Sequence, residues 1–107
     1  MSPKTQAALE AASESIVMAF GEKAQLIKAC EEMAELTKII CKRLNGKEEG
    51  KDDDAICSEI ADVLIMTNQL AFMFHRDAVE EKILFKLERT MDYIRSLAQP
   101  KQGELPL

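Results

Sequence analysis

The stretch Asp54-Ala-Ile-Cys-Ser-Glu59-Ile-Ala-Asp62-Val-Leu-Ile-Met-Thr-Asn-Gln-Leu-Ala-Phe-Met-Phe74 is apolar on nearly every side once it is wound as a helix. At about 100° per residue, Ile56, Ile60, Val63, Leu64, Thr67, Ala71 and Phe74 share one face. Ile65 and Phe72 fall on a second face, and Met66 and Met73 on a third. A helix apolar all round is a buried helix. A chain of 107 residues is one small domain and cannot cover such a helix alone. A homodimer or homotetramer is therefore expected. Glu59 and Asp62 interrupt this helix on the face that continues into Met66 and Met73. Carboxylates there need partners, because buried charge without pairing is costly.

A second acidic cluster lies upstream, in Gln25-Leu-Ile-Lys-Ala-Cys-Glu31-Glu32-Met-Ala-Glu35. Residues three or four apart share a helix face, so Glu32 and Glu35 form one claw, and Glu59 and Asp62 another. If the two helices pack antiparallel, four carboxylates meet. They repel unless a cation joins them, and hard oxygen ligands suit Mg2+, with Mn2+ as a substitute. The bland alternative is a solvated, salt-bridged surface. Glu31 points further round and is expected in solvent.

Few glycines and prolines break the chain, and they fall at segment ends. The reading is all-α: a four-helix bundle-like fold over residues 1–98, then a flexible C-terminal tail over 99–107. The first helix is expected from Ala7 to Phe20, with Gly21 interrupting the path. The second runs from Glu22 to Leu44 and stops at Asn45-Gly46, a left-handed ending. Its apolar seam is Leu26, Cys30, Met33, Thr37, Ile40 and Leu44. A charged, mobile loop follows from Lys47 to Asp53. Asp52, Asp53 and Asp54 cap the third helix, which runs to about Phe74. Asp77-Ala-Val-Glu80 reads as a capping box for a fourth helix ending near Ala98. There Val79, Ile83, Leu87, Ile94 and Leu97 face the core. Lys82, Lys86, Arg89 and Tyr93 line up beside them at spacings of four, three and four. Such a basic ladder suits phosphate oxygens. Lys28 has two readings, a phosphate contact or an ion pair with Glu32.

Composition bounds the function. Hydrophobic residues are 47% and charged residues 31%, which marks a globular chain. A net charge of −5 argues against nucleic acid as the main partner, though not against a phosphate ester carried with a cation. No apolar run is expected to be long enough to span a membrane, and no secretory pattern opens the chain. Cys30, Cys41 and Cys57 form no CxxC pair and read as small buried hydrophobes in a reducing cytoplasm. His75, the single histidine, reads as a charge at the end of the third helix or as a surface residue rather than a catalytic base. Phe20, Phe72 and Tyr93 could stack on a base, although packing is the simpler role for both phenylalanines.

The string from Gln25 to Leu36 resembles the first motif of the MazG-like nucleoside triphosphate pyrophosphohydrolases. Glu59-Ile-Ala-Asp62-Val-Leu-Ile-Met resembles their second, and Phe85-Lys86-Leu-Glu-Arg89-Thr also looks like the short members of that family. The resemblance covers about Phe20 to Leu97. It implies the all-α NTP pyrophosphatase fold and Mg2+-dependent hydrolysis of (deoxy)nucleoside triphosphates to monophosphate and pyrophosphate, for house-cleaning or control of nucleotide pools. It assigns metal ligation to Glu32, Glu35, Glu59 and Asp62, and an outer role to Glu31. Lys86 and Arg89 match basic positions near the triphosphate. A phosphoribosyl-ATP pyrophosphatase and a non-catalytic helical interaction module are the competing readings.

Overall fold

Local punctuation sets each helix of the computed structural model, which describes residues 1–97, 103 and 105–107. Helix α1 spans Pro3–Phe20. The Ser2 hydroxyl accepts the Thr5 N–H at 3.2 Å, and Pro3 occupies the first turn, where no N–H is needed. The helix thus begins four residues before the expected Ala7, because Ser2-Pro3 is itself a start signal. Gly21, at φ +92°, is the whole connection to helix α2, Glu22–Leu44. Its N–H bonds the Val17 carbonyl at 2.8 Å while its own carbonyl accepts from Gln25.

Helix α2 ends as expected, through paired hydrogen bonds from Lys47 N–H to Lys42 carbonyl and from Gly46 N–H to Arg43 carbonyl. Gly46 at φ +70° makes that wrap possible. The loop expected to be mobile instead holds a 3-10 turn, Glu48–Lys51. Its Gly50 is buried so close to the backbone of Lys42 and Arg43 that a Cβ would collide with both. Arg43 clamps the far side, its Nη1 lying 2.7 Å from Asp53 Oδ1. Asp52 Oδ1 accepts the Ala55 N–H at 3.1 Å and starts helix α3, Asp53–Phe74.

Helix α4 spans Arg76–Ser96. Its cap is His75, whose Nδ1 accepts the Ala78 N–H at 3.0 Å, rather than the expected Asp77 box. An accepting Nδ1 places the proton of the neutral ring on Nε2. The end expected at Ala98 and most of the tail expected from Gln99 lie outside the described residues. Among the described residues the chain is all-α, with no strand. It divides into two compact units, Met1–Phe74 and His75–Leu107.

In the first unit α3 packs on both α1 and α2. The buried apolar residues are few: Val17, Ala29 and Met66, accompanied by the polar Ser13, Gln25 and Gln69. On α2 the inward positions are Gln25, Ala29, Glu32, Leu36 and Ile39, stepping by four and three. On α3 they are Glu59, Asp62, Met66, Gln69 and Met73, stepping by three and four. Each series keeps one face toward the partner helix. Glu32, Glu59 and Asp62 therefore sit at interior positions, and Glu35 does not.

This corrects the expected packing. The α2 seam of Leu26, Cys30, Met33, Thr37, Ile40 and Leu44 is exposed along its length. Helix α3 is only partly covered: Ile60 is 43% and Leu64 39% exposed, while Met66 and Gln69 alone are buried. In α4, Val79, Ile83, Leu87 and Ile94 are exposed, and the buried residue is Thr90. The three cysteines are likewise exposed: Cys30 and Cys41 lie on or beside the uncovered α2 seam, and Cys57 lies in the first turns of α3. Helix α3 is also long and apolar enough to cross a membrane by length and composition, contrary to the expectation that no apolar run is long enough. Glu59 and Asp62 break the run without lowering the average enough. Both would be expensive in lipid.

Candidate metal centre

Antiparallel packing of α2 and α3 brings the two acidic motifs together. One carboxylate oxygen each from Glu32, Glu59 and Asp62 lies within 4.8 Å of the others, and all three residues are half-buried. Oxygens on opposite sides of an octahedral Mg2+ stand about 4.2 Å apart, from bond lengths of about 2.1 Å. The three oxygens are hard donors whose spacing approaches that spread, and with a small inward adjustment they could hold a divalent cation.

The electrostatics point the same way. Glu59 Oε2 is shut off from solvent and has no hydrogen-bond partner. Burial raises the Glu59 pKa above its ordinary value, and the charges of Asp62, Glu32 and Glu35 raise it further. A cation would relieve each of these penalties. The expected fourth ligand, Glu35, stands outside the group of three. It is exposed, yet its charge is felt at Glu59.

The ion pair expected of Lys28 is present. Its Nζ lies 3.2 Å from Glu32 Oε1 and 3.6 Å from Glu31 Oε2. The hydrogen bond and charge of Glu32, followed by the charge of Glu31, raise the Lys28 pKa. The side chain of Glu31 is 60% exposed and that of Glu32 only 15%, the separation expected from their positions on the helix.

Two recesses flank the carboxylates. One, of about 300 Å³, is lined by Lys28, Glu32, Asp62, Ile65 and Met66. The other, of about 180 Å³, is lined by Glu35, Lys38, Ile39, Lys42, Glu49 and Glu59. Lys38 and Lys42 were not among the residues singled out in the sequence. Their signal was available: Glu35, Lys38, Ile39 and Lys42 fall at i, i+3, i+4 and i+7, on one face.

The basic ladder belongs to the other unit. Lys82, Lys86 and Arg89 are exposed on α4, and Tyr93 is half-buried. The Arg89 guanidinium stands 5.7 Å from the Phe85 ring centroid, a cation–π distance that holds its charge near the helix surface. Phe85, Glu88, Arg89 and Asp92 line an open recess there. Compared with known protein families, curated proteins and solved structures, the chain finds no match.

Proposed function

We propose that this chain is a metal-dependent pyrophosphohydrolase that cleaves (deoxy)nucleoside triphosphates to monophosphate and pyrophosphate, in a house-cleaning or pool-controlling role. The observation that carries this reading is the convergence of Glu32, Glu59 and Asp62 around a buried, unpartnered Glu59 oxygen. These residues stand in two motifs that resemble those of the MazG-like enzymes, whose all-α fold the chain would share. A bound Mg2+ or Mn2+ would supply charge neutralisation on the phosphates and polarise the phosphoryl centre. Glu32, Glu59 and Asp62 would hold it.

The remaining residues divide the work. Water oxygen bonds to the α-phosphorus, the bond from that phosphorus to the α–β bridging oxygen breaks, and its electron pair leaves on pyrophosphate. Glu35, beside Glu59 but outside the group of three, orients the water and takes its proton. Glu31 and Glu32 hold Lys28 in the lining of the larger recess. The α4 run of Lys82, Lys86, Arg89 and Tyr93, in the other unit, is proposed on its spacing and on the resemblance as a further phosphate contact.

The active form is a homodimer or homotetramer. What supports this is the exposed α2 seam, together with the half-covered α3, because apolar faces of that extent mark interaction surfaces. Exposed thiols suit a reducing, cytoplasmic setting.

Pyrophosphate release with Mg2+ from a nucleotide panel that includes phosphoribosyl-ATP tests the reading. Wild type should turn over several nucleoside triphosphates, and Glu59→Ala and Asp62→Ala should lose at least about 100-fold in rate. Turnover of phosphoribosyl-ATP alone would give the rival enzyme. No turnover at all would favour an interaction module, and full activity in both variants would remove the assigned centre.

A further inference from the structure

The two recesses beside the carboxylates differ in chemistry, and the difference gives the site a direction. The larger combines one lysine with the apolar side chains of Ile65 and Met66. The smaller has two lysines, one turn apart on α2, and Ile39 as its single apolar wall. Ammonium groups at i and i+4 project from Cβ atoms about 5–6 Å apart, a span that two adjacent phosphoryl groups can bridge. The engagement of Lys42 in the protein is weak: its Nζ is 4.0 Å from Glu49 Oε1, and the Glu49 side chain is 66% exposed. Little has to be broken for Lys42 to turn to another anion.

We infer that Lys38 and Lys42 bind the β- and γ-phosphoryl groups of the substrate and the pyrophosphate that leaves. The nucleoside end lies toward Ile65 and Met66. This inference rests on the pyrophosphohydrolase reading above and adds the orientation of the substrate to it. When water bonds to the α-phosphorus and the bond to the bridging oxygen breaks, the electron pair and its charge pass to pyrophosphate. Two ammonium groups placed on that side meet the charge where it develops. The lining also sets a condition. Glu35, Glu49 and Glu59 outnumber Lys38 and Lys42, so the recess repels a lone polyanion and accepts it only with a divalent cation.

The test is inhibition of turnover by pyrophosphate and by nucleoside monophosphate, with direct calorimetric binding of pyrophosphate in the presence and absence of Mg2+. For Lys38→Met with Lys42→Met, the inhibition constant for pyrophosphate should rise about 10-fold or more, from the loss of charge-assisted contacts. The constant for monophosphate should stay within about twofold. Lys38→Arg with Lys42→Arg should restore most of the pyrophosphate affinity, and Lys4→Met should change nothing. Pyrophosphate should bind wild type only with Mg2+. An active double Met variant with unaltered pyrophosphate inhibition overturns the inference, as does selective loss of monophosphate inhibition, which would reverse the direction. A wild type that releases no pyrophosphate from any nucleotide fails at the earlier step instead.

Discussion

Glu59 carries the sharpest consequence of any single residue. Its folded-state pKa is raised, by burial first and by Asp62, Glu32 and Glu35 after it. The folded protein therefore holds this proton more tightly than the unfolded chain. The stabilising contribution is present below the ordinary carboxylate range and is lost as pH rises through the raised value. Metal-free protein should lose thermal stability over that window, and Glu59→Gln should flatten the slope. The same variant should be more stable than wild type without metal, and should no longer gain melting temperature when Mg2+ is added. Differential scanning calorimetry across pH, with and without Mg2+, reads both effects. A wild type whose melting point rises through the window would contradict the assigned burial. At this scale the sequence was partly legible. Spacing picked out the four carboxylates and separated Glu31 from Glu32. It could not say that Glu35 would stand outside the group, because that depends on how α3 is seated against α2.

Helix ends were the most readable elements, because each is a local hydrogen-bonding problem. Asn45-Gly46 and Asp52 act as their residue types suggest. The misses are also local. Ser2 was passed over in favour of the alanine-rich run that follows it, and His75 caps α4 where Asp77 matched a motif. Replacing Ser2 with Ala should cost about 1 kcal/mol, read by urea unfolding. The 3-10 turn was illegible for a different reason. Its order comes from Gly50 lying against the α2 backbone, a contact between segments rather than a propensity. Gly50→Ala forces a Cβ into Lys42 and Arg43, and should destabilise by about 1–3 kcal/mol in the same measurement. An unchanged midpoint would mean the turn swings away at little cost.

Across the molecule, hydrophobic periodicity gave the right number of helices and the wrong interior. The strongest seam on α2 is solvent-facing, while Glu32 takes a position that leucine would ordinarily fill. Periodicity reports which residues avoid water. It does not report whether the covering surface belongs to the same chain. With Val17, Ala29 and Met66 as the buried apolar residues, the first unit has a thin core. The proposed assembly would supply the missing burial. Analytical ultracentrifugation at micromolar concentration should give a dimer or tetramer mass. Ile40→Glu, on a side chain 44% exposed within the chain, should shift it toward monomer and lower the melting temperature together. A clean monomer in wild type would remove the oligomer from the proposal.

Gly21 and Gly46 fix where α2 begins and ends, and so fix its angular phase. One added residue turns everything downstream by about 100° about the helix axis. An insertion between Met33 and Ala34 would leave Lys28 and Glu32 in place. It would rotate Glu35, Lys38 and Lys42 off the carboxylate side while, for an inserted alanine, preserving charge and helicity. Length changes inside α2 are therefore a more damaging class of lesion here than most substitutions, and natural variation in this helix should be confined to exchanges that keep its count.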